Sequence, residues 1–155
     1  MKFKGFDFSF QLNYALGGKI YGDNLSYDEH SGGSGFDNTT RYVYENRWQK
    51  PGDVTDVPKF VYGGVPSANS ASTRFLMNGR YLKIKNISLG YTLPKYITDY
   101  ARMSSARIFV TADNLYTFTA KNYRGFDPAG IASDGIQWWN YPTPRNIMFG
   151  VSIGF

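Results

Sequence analysis

The chain has 155 residues, of which 18% are aromatic (Tyr 13, Phe 12) and 19% charged, with 17 glycines and a net charge of +5. That length argues for one domain, and the aromatic- and glycine-rich mix favours strands and turns over helix. No Cys is present, which excludes disulfides and thiolate chemistry; the basic residues are scattered rather than run together, which argues against nucleic-acid binding; and no stretch approaches the 18 consecutive apolar residues of a membrane-crossing helix.

The first element is the clearest. Phe6, Phe8, Phe10, Leu12, Tyr14 and Leu16 alternate with Asp7, Ser9, Gln11, Asn13 and Ala15. Successive side chains of a strand point to opposite faces, so this alternation predicts a strand over 6–16 with one apolar and one polar face. Asp7, Ser9, Gln11 and Asn13 would suit a water-filled lumen. A long Gly/Ser/Asn/Asp-rich connection follows over 17–80, with irregular stretches at Gly32 to Gly35 and Val65 to Ser72 and a short helix expected within Arg41 to Gln49.

A second strand is expected over 81–93. Ile87, Leu89, Tyr91 and Leu93 share one parity, whereas Leu82 and Ile84 sit on the other. Such a switch means either a β-bulge near Lys85-Asn86 or an upper strand that has left the apolar layer. Pro94 stops the strand, and 94–106 is a shorter connection with room for one helical turn. The third strand, 107–119, sets Ile108, Val110 and Ala112 against Phe109, Thr111 and Asp113; the parity of its upper half is ambiguous. Another long loop, 120–144, carries Tyr123, Phe126, Trp138, Trp139 and Tyr141. The last strand, 145–155, alternates Ile147, Phe149, Val151, Ile153 and Phe155 with Met148, Gly150, Ser152 and Gly154.

The connections run long, short, long, and the chain ends on an aromatic strand residue. Outer-membrane barrels have that arrangement, with long outer loops and short turns on the periplasmic side. Four strands cannot close a barrel, and alone they would expose two edges and a large apolar face. Met1 to Gly5 lacks the apolar core of a signal peptide, so a fragment of a longer protein is expected.

These residues resemble the C-terminal end of SusC/RagA-family TonB-dependent outer-membrane transporters. The densest match is N-G-R-Y-L-K-I-K-N-I-S-L-G-Y-T-L-P (Asn78 to Pro94), followed by R-I-F-V-T-A-D-N-L-Y-T-F-T (Arg107 to Thr119), G-F-D-P (Gly125 to Pro128) and Y-P-T-P-R (Tyr141 to Arg145). F-K-G-F-D-F-S-F (Phe3 to Phe10) is also similar. The fold class implied is all-β: an antiparallel up-and-down meander of about four strands that forms the last part of a 22-stranded transmembrane barrel. The plug domain, TonB-contacting segment and signal peptide of the family are absent from this sequence. The resemblance further implies the outer membrane of a Gram-negative bacterium, uptake of oligosaccharide or peptide powered by the TonB complex, and a SusD-like surface lipoprotein as partner.

The terminal strand also resembles the signal read by the barrel assembly machinery, in which Gly150, Ile153 and Phe155 fit and Met148 departs from the polar residue expected there. Trp138, Trp139 and Tyr141 are candidate contacts for a ligand or partner, since aromatic rings offer flat apolar faces with a polar handle; an interfacial girdle or loop self-packing would explain them equally. His30, the only histidine, is expected to be a solvated loop residue, because D-E-H alone does not make a metal site. Asp7 and Asp113 have no spacing that makes a catalytic pair, Asp127 is expected to shape a turn with Pro128, and Gly32 to Gly35 lacks the Lys of a phosphate loop. No catalytic, metal or cofactor site is expected, and the chain is read as a non-enzyme. The alternative is a self-standing β-rich carbohydrate-binding or adhesion module. It would have to bury the Phe6/Phe8/Phe10/Leu12 face against a second sheet.

Overall fold

The structure is a computed structural model that describes residues 1–131 and 133–155. In chain order the strands are β1 (Lys2–Phe3), β2 (Phe6–Ala15), β3 (Lys19–Gly22), β4 (Leu76–Asn78), β5 (Tyr81–Thr92), β6 (Ser105–Thr119), β7 (Ile136–Gln137) and β8 (Asn146–Gly154). The helices are α1 (Asp23–Asp28), α2 (Arg41–Asn46) and α3 (Lys95–Tyr100), with 3-10 turns at Thr73–Phe75 and Pro128–Gly130. The secondary structure is thus mostly strand. The chain divides into two units: Met1–Leu16, Arg80–Ala120 and Pro142–Phe155 form the first, and Gly17–Gly79 with Lys121–Tyr141 the second.

The first unit is a five-stranded antiparallel sheet in the order β1-β2-β5-β6-β8. In its four long strands 81–92 pairs with 6–15, 105–119 with 81–92, and 146–154 with 105–119. The short β1 precedes them, turned onto β2 by Lys4-Gly5, both at positive φ as a two-residue hairpin requires. The register runs straight across four strands. Phe6, Tyr91, Ile108 and Val151 form one row, and Phe8, Leu89, Val110 and Phe149 the next. Directly opposed residues of antiparallel strands share a face. One face is therefore continuously apolar, with tilted ring contacts at 4.5 Å between Phe6 and Tyr91. The other carries Asp7, Ser9 and Gln11 against Asn86, Ser88 and Gly90.

Between Ile84 and Asn86 the register shifts: Gln11 pairs with Asn86 and the adjacent Leu12 with Ile84, so Lys85 bulges out of β5. On β6, Asp113 pairs with Asn86 and Tyr116 with Ile84, which leaves Asn114 and Leu115 as extra residues. Asn114 is at φ 53 and donates from its side chain to the Pro144 carbonyl at 3.2 Å. The parity switch in the sequence is thus a bulge. It returns Leu82 and Ile84 to the face of Ile87 and Leu89, while β6 keeps one parity throughout, Tyr116 and Phe118 lying on the face of Ile108 and Val110.

That apolar face is exposed. Phe149 keeps 83% of its surface accessible, and Phe6, Phe10, Val151 and Ile147 all keep more than half. Burying a side chain of this size is worth roughly 1.5–3 kcal/mol, so a face of such residues left open to water would be costly.

The second unit holds regular structure within the long connections, with Gly32 to Gly35 and Val65 to Ser72 outside helix and strand. It contains a three-stranded sheet in the order β4-β3-β7, in which β3 pairs antiparallel with β4 and parallel with β7. Ile20, Leu25, Phe75 and Met77 form its core, with Tyr21, Tyr123 and Ile131 packed against them. Thr40 caps α2 by accepting from the Val43 amide. Asp127 caps the 3-10 turn at Pro128 by accepting from the Ala129 amide, as expected for a turn-shaping Asp-Pro.

Candidate functional site

The polar face of the first sheet is assembled by register alone. Asp7 on β2, Gly90 on β5, Phe109 on β6 and Gly150 on β8 lie in one row. Arg107, one row along the same face, reaches back to Asp7 with Nη2–Oδ2 at 2.6 Å and Nε–Oδ1 at 3.0 Å. Its guanidinium lies 5.0 Å from the Phe109 ring centre. A Cβ on Gly90 would stand 2.3 Å from Arg107 Nη2 and 2.6 Å from Asp7 Oδ1, and one on Gly150 would stand 2.2 Å from Phe109 Cζ. Both glycines make room for large neighbours lying flat on the sheet. Further along, Asn86 Nδ2 donates to Asp113 Oδ1 at 2.7 Å. Asp7 and Asp113 are thus held by different partners and do not form a pair.

Of the candidate residues, Asp7, Ser9 and Gln11 lie on this polar face, as does Asn13, opposite Lys83. Gly150 shares it, whereas Ile153, opposite Ala106, lies on the apolar face and Phe155 follows β8 almost fully exposed. The structure does not bring these three together as a cluster.

In the second unit, Trp138, Trp139 and Tyr141 are all exposed, and the Trp139 ring lies 6.3 Å from that of Tyr27. His30 is a correction: it is buried, not solvated. Its Nδ1 accepts from the Gly32 amide at 3.2 Å, so its Nε2 carries the proton toward the Asp37 carbonyl at 3.1 Å. The ring serves as a hydrogen-bonded spacer between two loop segments. Among the described residues no group of three or more His, Cys, Asp or Glu could hold a metal.

The buried ionic centre of this unit is not legible in the sequence. Glu29, fully buried, receives Arg124 in bidentate fashion, Nε–Oε1 at 2.9 Å and Nη2–Oε2 at 3.3 Å. Arg74 adds a contact at 4.0 Å and donates to the Glu29 carbonyl at 3.0 Å. Arg124 also stacks 4.3 Å from the Tyr42 ring centre. Burial raises the Glu29 carboxyl above its ordinary value despite the opposing pull of Arg124 and Arg74, and burial lowers the Arg74 guanidinium. Beside it, Tyr123 donates to Gln137 at 2.6 Å and Gln137 to Asn24 at 3.3 Å. Desolvation raises the Tyr123 hydroxyl well above the usual tyrosine range. These groups hold one another in place, with Arg74 Nε buried and left without a hydrogen-bond partner.

No family model matches the chain. Over its whole length it is 29% identical to TonB-dependent receptor P3 of Formosa agariphila and 29% identical to TonB-dependent receptor SusC of Bacteroides thetaiotaomicron, spanning 15% and 14% of their lengths. Among solved structures it superposes on the RagAB peptide importer in its closed-closed state with a TM-score of 0.79 and 28% identity, covering 98% of this chain and 16% of that one. The open-open state gives a TM-score of 0.75 at 27% identity. The chain therefore spans only about one-sixth of the length of such proteins, which are receptors and transporters and not enzymes. From end to end the chain resembles one part of these TonB-dependent receptors and of the RagAB importer.

Proposed function

We propose that the chain is the C-terminal wall of a 22-stranded outer-membrane barrel in a Gram-negative bacterium, part of an importer for oligosaccharide or peptide. The observation that carries this reading is the one-sided sheet. Its apolar rows, from Phe6 to Val151, stay exposed, while the opposite face carries Asp7, Arg107, Asn86 and Asp113 in hydrogen-bonded pairs. A lipid layer outside and water inside would satisfy both faces of such a strand set. Asp7, Ser9, Gln11 and Asn13 then line the lumen. In this reading the second unit belongs to the outer loops and offers Trp138, Trp139 and Tyr141 to cargo or to a SusD-like surface partner. The TonB complex drives uptake through parts of the receptor outside this chain. The barrel assembly machinery reads Gly150, Ile153 and Phe155, since β8 is an edge strand open to pairing by strand addition.

Cysteine accessibility in the complete receptor tests the reading, helped by the absence of native Cys in this chain. In membranes, Phe149→Cys should resist a water-soluble maleimide and Ser9→Cys should react. Equal labelling of the two would sink it. Deletion of Phe155 should reduce heat-modifiable, membrane-inserted receptor; unchanged levels would remove the assembly-signal role.

A further inference from the structure

We infer that one end of the first sheet holds an acidic phospholipid, with an acyl chain in an apolar groove of the wall and the phosphate among Lys4, Lys95 and Arg102. This rests on the lipid-facing reading above and adds the headgroup class that the wall selects.

The groove lies on the apolar face, between the row of Phe6, Tyr91 and Ile108 and the row of Leu89, Val110 and Phe149. It measures about 480 Å³. Just beyond the first of these rows the strands end in two short connections. Lys4 stands in the turn before β2, Lys95 opens α3 and Arg102 follows it, all three exposed. The α3 connection is compact: the Leu93 amide donates to the Ala106 carbonyl at 2.9 Å, and the Met103 amide to the Thr98 carbonyl at 2.8 Å. Phe3 pairs with Phe6 and so shares the apolar face, and Lys4 Nζ lies 5.4 Å from the Phe3 ring centre. A cation is thus held at the margin of the apolar face itself. Tyr96 and Tyr100 on α3 are exposed at the same end, as rings with an apolar body and a polar tip are at a membrane–water boundary.

The dimensions fit one leaflet. From Leu89 to Pro94, at ~3.3 Å per strand residue, is about 16 Å, and half of a hydrocarbon core is about 15 Å. A lipid with its phosphate at the turns therefore lays its chain along the whole groove. The charges then choose the headgroup. Asp99 is the only acidic side chain in the two connections, and no ion pair joins it to Lys95 or Arg102 among the described residues. Lys2 is opposite Asp7, toward the polar face. A zwitterionic headgroup brings its own cation to its phosphate. An acidic one brings a net negative charge, which three cations against one carboxylate attract.

The test uses the complete receptor, stripped of lipid in detergent, with phosphatidylglycerol or phosphatidylcholine carrying a photoreactive diazirine at mid-chain. Irradiation followed by peptide mass spectrometry reads where each lipid lies. Phosphatidylglycerol should label the 89–91 and 149–151 segments at least about fivefold more than phosphatidylcholine, the effect of roughly one near-surface cation. The triple variant Lys4→Gln, Lys95→Gln, Arg102→Gln should bring it down to the phosphatidylcholine level. Labelling by phosphatidylcholine should stay unchanged, which also shows that the variant is folded. Equal labelling of the native receptor by the two lipids, or a preference that survives the triple variant, overturns the inference and leaves the lipid-facing wall standing. So does full displacement of phosphatidylglycerol by inorganic phosphate, which would assign the cations to a soluble ion. Absence of labelling of both segments by either lipid overturns the lipid-facing wall and the inference with it.

Discussion

Asp7 and Arg107, on strands separated by β5, are joined by two hydrogen bonds that pass directly over Gly90. The intervening strand has no side chain at the crossing point, which is what lets a β2 carboxylate meet a β6 guanidinium. Gly90→Ala should displace the pair and lower the unfolding temperature by several degrees, whereas Gly17→Ala, where a Cβ would meet nothing within 4 Å, should not. Thermal unfolding of the two variants side by side makes the comparison.

Gly150 permits a second prediction, because its two roles separate. If Gly150 matters only as the floor under the Phe109 ring, Gly150→Ala should cost about 1–3 kcal/mol and Phe109→Leu should recover most of it. If the glycine is itself read during assembly, Phe109→Leu will restore the stability of the folded protein but not the yield of inserted barrel. A double-mutant cycle scored by both stability and insertion decides between the two.

The buried carboxylate of Glu29 carries a stability and a pH prediction. Glu29→Ala leaves Arg124 with its carboxylate partner removed and should cost about 3 kcal/mol. The pH effect has the opposite sign to the usual acidic group. Burial raises the folded-state value above the ordinary 4.5, so the folded protein holds its proton more tightly than the unfolded chain. Stability should therefore decline as pH rises from about 4.5 through the raised folded-state value, and level off above it. Glu29→Gln should flatten that part of the profile; denaturant titrations across the acidic range would show it.

The apolar face gives the fourth prediction. Phe149→Arg places a charge at the β8 end of the row formed with Phe8, Leu89 and Val110 and should cost about 2–4 kcal/mol if that row meets lipid. Thr111→Arg, on the opposite face, should be tolerated. Unfolding in lipid vesicles measures both, and equal penalties would contradict a lipid-facing sheet.

How much of this could be read beforehand depends on the range of the forces involved. The faces of β2, of the lower halves of β5 and β6, and of β8 were legible because the sheet has one apolar and one polar face, which writes alternation directly into Phe6 to Ala15 and Ile147 to Phe155. The short helix at Arg41–Asn46 and the turn at Asp127-Pro128 were legible because capping and turn chemistry are local. The core of the second unit was not. Ile20, Leu25, Phe75 and Met77 are drawn from two distant segments with no shared period; Ile20 and Met77 sit on strands of four and three residues, Leu25 on a short helix and Phe75 on a 3-10 turn. Glu29 and Arg124 lie 95 positions apart, and nothing near either marks the other. His30 read as solvated because its neighbours are polar; its burial comes from the Gly32 and Asp37 backbone folding around it.

The bulge at Lys85 means that β5 is written in two phases. Leu82 and Ile84 are even-numbered, Ile87 and Leu89 odd-numbered, yet all four look out on the same side. Deleting Lys85 would set Ile84 beside Asn86 and merge the two phases into one unbroken alternation, whereas drawing Lys85 into the pleat would carry Leu82 and Ile84 into the polar rows and Lys83 into the apolar ones. The two faces of β5 therefore depend on one residue standing outside the pleat, more than on which side chain that residue carries.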